Sequence, residues 1–175
     1  MFLDKRNQVE VEVPEQIDIA FHILNYNQGL IQFADSKANA LLLINSIFIA
    51  ALTPFIERLG HNSLVTVIGV AFFIFSIISI LLSLGVIMTR SGGIVENRTK
   101  TLVFYGHIID NNSPEGYLHE FSAIEAKKFK DSILENIFTV SKIANAKFSI
   151  YNQGQTMTLL SCLLWIITIL AIPFI

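Results

Sequence analysis

From Leu64 to Thr89 the chain reads LVTVIGVAFFIFSIISILLSLGVIMT, without a single Asp, Glu, Lys, Arg or His. Wound as a helix at about 1.5 Å per residue, that run is long enough to cross a hydrocarbon layer of roughly 30 Å. In lipid each backbone polar group needs an internal partner, so the run can only be a spanning helix. Two further segments have the same character. Ala38 to Ile56 lies between the charged residues Lys37 and Glu57, and Phe148 to Ile175 follows Lys147, the last charge of the chain. The expectation is therefore an all-α membrane protein with three transmembrane helices, at about 38–57, 64–89 and 155–175.

Composition agrees with this. A mean hydropathy of +0.58, with 53% hydrophobic and 15% charged residues, is too apolar for an ordinary soluble domain of this length. The polar remainder, about 1–37 and 90–154, is too small for an elaborate catalytic domain, and a single domain over 1–175 is expected. The one cysteine, Cys162, lies inside the third span and cannot form an intrachain disulfide. The N-terminal MFLDKRNQVEVEVPEQ has no apolar core of signal-peptide length. Basic residues set the orientation. Lys5, Arg6 and Lys37 precede the first span and eight more lie between Arg90 and Lys147, against Arg58 alone in the loop ERLGHN. The excess of Lys and Arg predicts a cytoplasmic N-terminus and a cytoplasmic central segment.

Within the polar parts, VEVEV at Val9 to Val13 alternates like a half-exposed strand, and Pro14 suits the first turn of a helix. Nothing breaks the sequence from there until Pro54, so one long helix should run from the cytoplasm through the membrane. Thr101 to Tyr105 reads as a short strand that could pair with Val9 to Val13 in a small β-hairpin-like element. Asn111, Asn112 and Ser113 before Pro114 form a helix start, with Ser113 as N-cap and Pro114 at the first helical position. A second long helix is expected to continue from there into the third span.

The first long helix carries a polar row at sevenfold spacing, Gln32, Asn39, Ser46 and Thr53, with Gln28 and Asp35 on the same side. With Asn45 these residues form a polar membrane stripe. Such groups are costly against lipid, which leaves two readings: hydrogen bonding across a helix interface, or an aqueous path. One three-helix chain cannot enclose a pore without oligomerising. In the second span Gly69, Ser76 and Ser83 share the same spacing, with Ser79 nearby, and read as a close-packing face. In the third helix Ser141, Asn145, Ser149, Asn152 and Thr156 share a face near membrane entry, which together with the first stripe suggests a polar vestibule.

Catalytic patterns are absent from the sequence. His22, His61, His107 and His119 have no metal-ligand spacing, and there is no Walker A loop, GxGxxG or GxSxG. No enzyme activity, metal or catalytic residue is expected. One cluster has ligand-binding character. Arg98 and Lys100 precede Phe104 and Tyr105, and Lys37 stands at the mouth of the first span beside Asp35 and Asn39. Cations could take a phosphate there while Tyr105 stacks on a base; equally, the same residues serve as positive-inside anchors with interfacial aromatics.

The run FADSKANALLLINSIFIA, Phe33 to Ala50, resembles the ADxKAxxLLxxN signature of the Pycsar transmembrane effector family. LVFYGHIIDNNSPEGYLHEF, Leu102 to Phe121, is similar to that family's cytoplasmic motif, an aromatic-Gly pair followed by a Ser-Pro-Glu-x-Tyr-Leu helix start. A charged helix containing Lys142 and Lys147 then leads to the final span, as in the family. His107 stands where an acidic residue is commoner, and Gly116 where the family has Glu. The resemblance implies an antiphage effector of the bacterial inner membrane, homo-oligomeric, working with a nucleotide cyclase as partner. It implies cyclic UMP or cyclic CMP as activating ligand, membrane lipid as target, and no DNA or RNA. The competing expectation is a non-gated membrane scaffold that anchors a partner through residues 90–146. A neighbouring cyclase gene favours the first, a transporter or secretion operon the second.

Overall fold

The computed structural model describes residues 2–59, 63–88, 108–109 and 113–174, and among them there is no strand. Helix α1 is Phe2–Leu52, followed by a 3-10 turn at Thr53–Phe55 and a short helix α2 at Ile56–Leu59. Helix α3 is Ser63–Met88, α4 is Pro114–Ala123, α5 is Ala126–Ala171, and a 3-10 turn closes the chain at Ile172–Phe174. The segments Pro14–Phe55, Ser63–Met88 and Ala126–Ala171 are each long and apolar enough to cross a membrane. The expected three-span, all-helical class therefore holds. Thr53-Pro54-Phe55 ends α1 as the proline demands, because Pro54 has no N–H to continue the ladder.

Three local expectations change. Val9 to Val13 is helical, not a strand, and α1 begins at Phe2, so Pro14 lies inside the helix rather than in its first turn. Five alternating residues are a weak strand signal, since Val9 and Val13 are also four apart and share a helix face. Extending an existing helix also avoids a new nucleation step. The strand expected at Thr101 to Tyr105 lies outside the described residues. The helix start at Ser113 is as expected, its side chain accepting from the Gly116 N–H at 3.1 Å, but the helix does not run on unbroken. Ile124 is extended, with φ −77° and ψ 133°, and α5 starts afresh with the Phe129 N–H donating to the Glu125 carbonyl at 3.0 Å. Eight residues of continuous helix would hold Phe121 and Phe129 about 12 Å apart along the axis. The break brings their ring centroids to 5.7 Å, edge to face.

The chain forms two compact units, 1–30 with 91–144 and 31–90 with 145–175. In the first, Phe129 also meets Phe21 at 6.2 Å and Phe121 meets Tyr117 at 6.0 Å. The Asn27 amide donates to Ser141 at 2.9 Å, and Lys130 donates to Gln16 at 2.9 Å. The second unit holds the membrane-spanning lengths of α1, α3 and α5. One apolar cluster gathers Ala34, Ala38, Leu41, Val86 and Tyr151; a second gathers Leu52, Val65, Phe72 and Ile172, with Phe48 stacked on Trp165 at 4.9 Å.

Candidate functional site

Between these two apolar clusters lies a polar centre shared by three helices. Asn45 of α1 is fully buried. Its amide nitrogen lies 2.8 Å from its own Leu41 carbonyl, 3.1 Å from Ser79 Oγ of α3 and 3.0 Å from Thr158 Oγ1 of α5. Its carbonyl oxygen accepts from Ser161 at 3.1 Å. Ser79 and Thr158 stand 2.6 Å apart, and each lies 3.0 Å from the Gly154 carbonyl. Each hydroxyl has one proton, so one donates to that carbonyl and the other to its neighbour. At Gly154 the helices leave room for a Cβ at ordinary van der Waals distance. A Cβ there would meet Leu82 Cβ at 3.5 Å, Ser83 Oγ at 3.6 Å and Leu41 Cδ1 at 3.8 Å. The expected close-packing face of α3 takes part as well, since Gly69, Ser76 and Ser83 are all buried.

Two turns along α3, at its far end, a charged clamp joins the same helices. The Lys147 ammonium of α5, whose side chain is 5% exposed, pairs with Asp35 of α1 at 2.5 Å and donates to the Val86 carbonyl of α3 at 2.7 Å. That carbonyl lies in the last turn of α3, where a cation also meets the negative end of the helix dipole. Next to the clamp, the Lys37 ammonium lies 4.5 Å from the Phe33 ring centroid and 5.5 Å from that of Tyr151. Lys37 is thus held by two aromatic faces, with Asp35 committed to Lys147.

The sequence-derived candidates are distributed unevenly over this geometry. Asp35 and Lys37 sit at the clamp. Arg98, Lys100 and Tyr105 lie outside the described residues. The polar membrane stripe divides in two: Asn45 points into the bundle, while Gln32, Asn39, Ser46 and Thr53 are all exposed on its outer surface. Ser46 and Thr53 return their hydroxyls to the Leu42 and Ile49 carbonyls, both at 2.8 Å. In the expected vestibule Asn145, Ser149, Asn152 and Thr156 are likewise exposed on α5. Sequence reasoning missed the interior role of Lys147, counted there only as a basic anchor, and the partners Thr158 and Ser161; Ser79, read as part of the packing face of α3, is buried there. Thr158 and Ser161 were detectable as hydroxyls three apart, on one helix face, within an apolar run.

Among the described residues no group of His, Cys, Asp and Glu could hold a metal ion. The arrangement joins helices and presents polar surface. No curated protein and no solved structure matches the chain. A family model does: that of the Pycsar effector protein domain, matched over residues 19–173. The match takes in α1 from Ile19 onward, the whole of α3 to α5 and the clamp between them, and the chain belongs to the Pycsar effector family.

Proposed function

We propose that this chain is a ligand-gated membrane effector of antiphage defence, which senses a cyclic pyrimidine nucleotide on the cytoplasmic side and then impairs the inner membrane. The observation that carries the reading is the family match across nearly the whole chain, spans and polar segments together. The structure is compatible in kind. It offers membrane-spanning helices, polar side chains on their outer surface, and hydrogen-bonded and charged contacts joining the three spans that a ligand could rearrange. Arg98 and Lys100 are assigned to the phosphate and Tyr105 to the base by residue type, with Lys37, Asp35 and Asn39 relaying the event into the first span. The effector acts without chemistry of its own, as a homo-oligomer, and a nucleotide cyclase supplies the signal. N-terminus and central segment face the cytoplasm, following the basic-residue asymmetry.

The test is a membrane-potential dye in cells expressing the chain with and without production of cyclic UMP or cyclic CMP. Depolarisation that requires both the chain and a nucleotide is expected. Intact potential in both conditions, with the protein inserted, would overturn the reading in favour of a passive scaffold.

A further inference from the structure

The outward-facing polar stripe of α1 belongs to a longer pattern. Ser36, Asn39, Leu43, Ser46, Ala50 and Thr53 follow one another at spacings of three, four, three, four and three, and every one of them is exposed. That spacing puts them in one row along the helix, the spacing used where two helices pack by knobs into holes. Its neighbours do the opposite. On α3 the serines Ser76, Ser79 and Ser83 are buried while Val67, Val70, Ile74, Ile77 and Leu81 face outward. Beyond Thr156, α5 likewise buries Thr158, Ser161 and Thr168 and exposes Leu159, Leu163, Ile167 and Leu170. Among the described residues of the three spans, α1 alone carries polar and small residues down its outer face to the end of the helix.

We propose that this row is a homotypic interface, at which α1 of one copy packs against α1 of a second copy within the bilayer. Small residues let two backbones approach closely in a membrane, and polar side chains join them. Ser36, Ser46 and Ala50 supply the first property and Asn39 the second. The hydroxyls of Ser46 and Thr53 already have intrahelical acceptors. A carboxamide has two N–H donors and an accepting oxygen, and lipid satisfies none of them. Another Asn39 satisfies it reciprocally, so a two-fold pair of identical helices is self-complementary at this position. The inference rests on the homo-oligomer of the proposed function and names its interface; it does not depend on nucleotide and concerns the resting chain in any membrane.

Single cysteines placed in the Cys162→Ser background and oxidised in native membranes, without nucleotide, test it. Leu43→Cys, Ser46→Cys and Ala50→Cys should form disulfide-linked dimers. Ile44→Cys on another face of α1 and Leu81→Cys on the outer face of α3 should not. Asn39→Leu should weaken cross-linking at Ser46→Cys by about tenfold, the equivalent of about 1.4 kcal/mol, while Asn39→Gln retains it; because Asn39 is exposed, neither change disturbs the bundle. Equal cross-linking at all five positions, cross-linking only at the controls, adducts only to other proteins, or none at all in inserted protein would each overturn the proposal. So would an Asn39→Leu variant that cross-links like its parent.

Discussion

Asn45 and Ser46 are adjacent in sequence, and the structure predicts opposite consequences for their loss. Asn45→Ala removes the side chain that ties α1 to Ser79, Thr158 and Ser161; with one amide proton on the Leu41 carbonyl, the other serves the Ser79–Thr158 pair, so two hydrogen bonds cross between helices. In membranes such bonds average about 0.6 kcal/mol each, so about 1 kcal/mol is expected from this source alone. The vacated volume adds to it, because Asn45 is fully buried. The remaining hydroxyls limit the damage: Ser161 keeps the Thr158 carbonyl at 2.9 Å, and Ser79 and Thr158 keep each other and Gly154. Ser46→Ala loses one bond within its own helix and leaves an exposed methyl. Its cost should be below about 0.5 kcal/mol. Reversible unfolding of purified protein in mixed micelles, followed by circular dichroism against denaturing detergent, measures both. Equal stability of the two variants would refute the view that Asn45 joins the three spans.

The clamp should show strong coupling. Asp35→Asn strands a buried ammonium and should destabilise by about 3 kcal/mol, whereas the double variant Asp35→Asn with Lys147→Met should recover most of that loss in the same unfolding assay; additive losses would contradict the pairing. At Gly154 an added Cβ meets only ordinary van der Waals contacts, so Gly154→Ala should be neutral or gain up to about 1 kcal/mol from helix propensity. Gly154→Leu should lose about 1–3 kcal/mol through overpacking, and equal melting temperatures for the two would show that α3 and α5 are not close there. For orientation, Glu57→Cys should react with an impermeant thiol reagent in cells with a permeabilised outer membrane and Lys128→Cys should not, both in a Cys162→Ser background; the reverse pattern would invert the topology.

The spans were legible because absence of charge over the required length is a strong signal, and the helix stop at Pro54 and the cap at Ser113 because each follows from one backbone group. The direction of the polar stripe was not. In a soluble helix the polar face must point to water, but a membrane helix has apolar surroundings inside and out, so periodicity gives a face without saying which way it looks. Asn45 and Ser46, one residue apart, therefore read alike in sequence and part company only when α3 and α5 are placed. Lys147 read as an anchor for the same reason: its burial depends on the Val86 carbonyl and the Asp35 carboxylate, brought from positions 61 and 112 residues away. The break at Ile124 had no Gly or Pro to announce it, being fixed by ring contacts between Phe121, Phe129 and Phe21.

The most direct test of a nucleotide-gated membrane effector uses purified components alone. The chain is reconstituted into liposomes loaded with a self-quenching dye, and release is followed after adding cyclic UMP, cyclic CMP or the linear 5′-monophosphates. The account predicts rapid release with a cyclic pyrimidine nucleotide, little without it, and little with the linear forms. Tight vesicles under every condition, despite correct insertion, or the same leak with and without nucleotide, would contradict it.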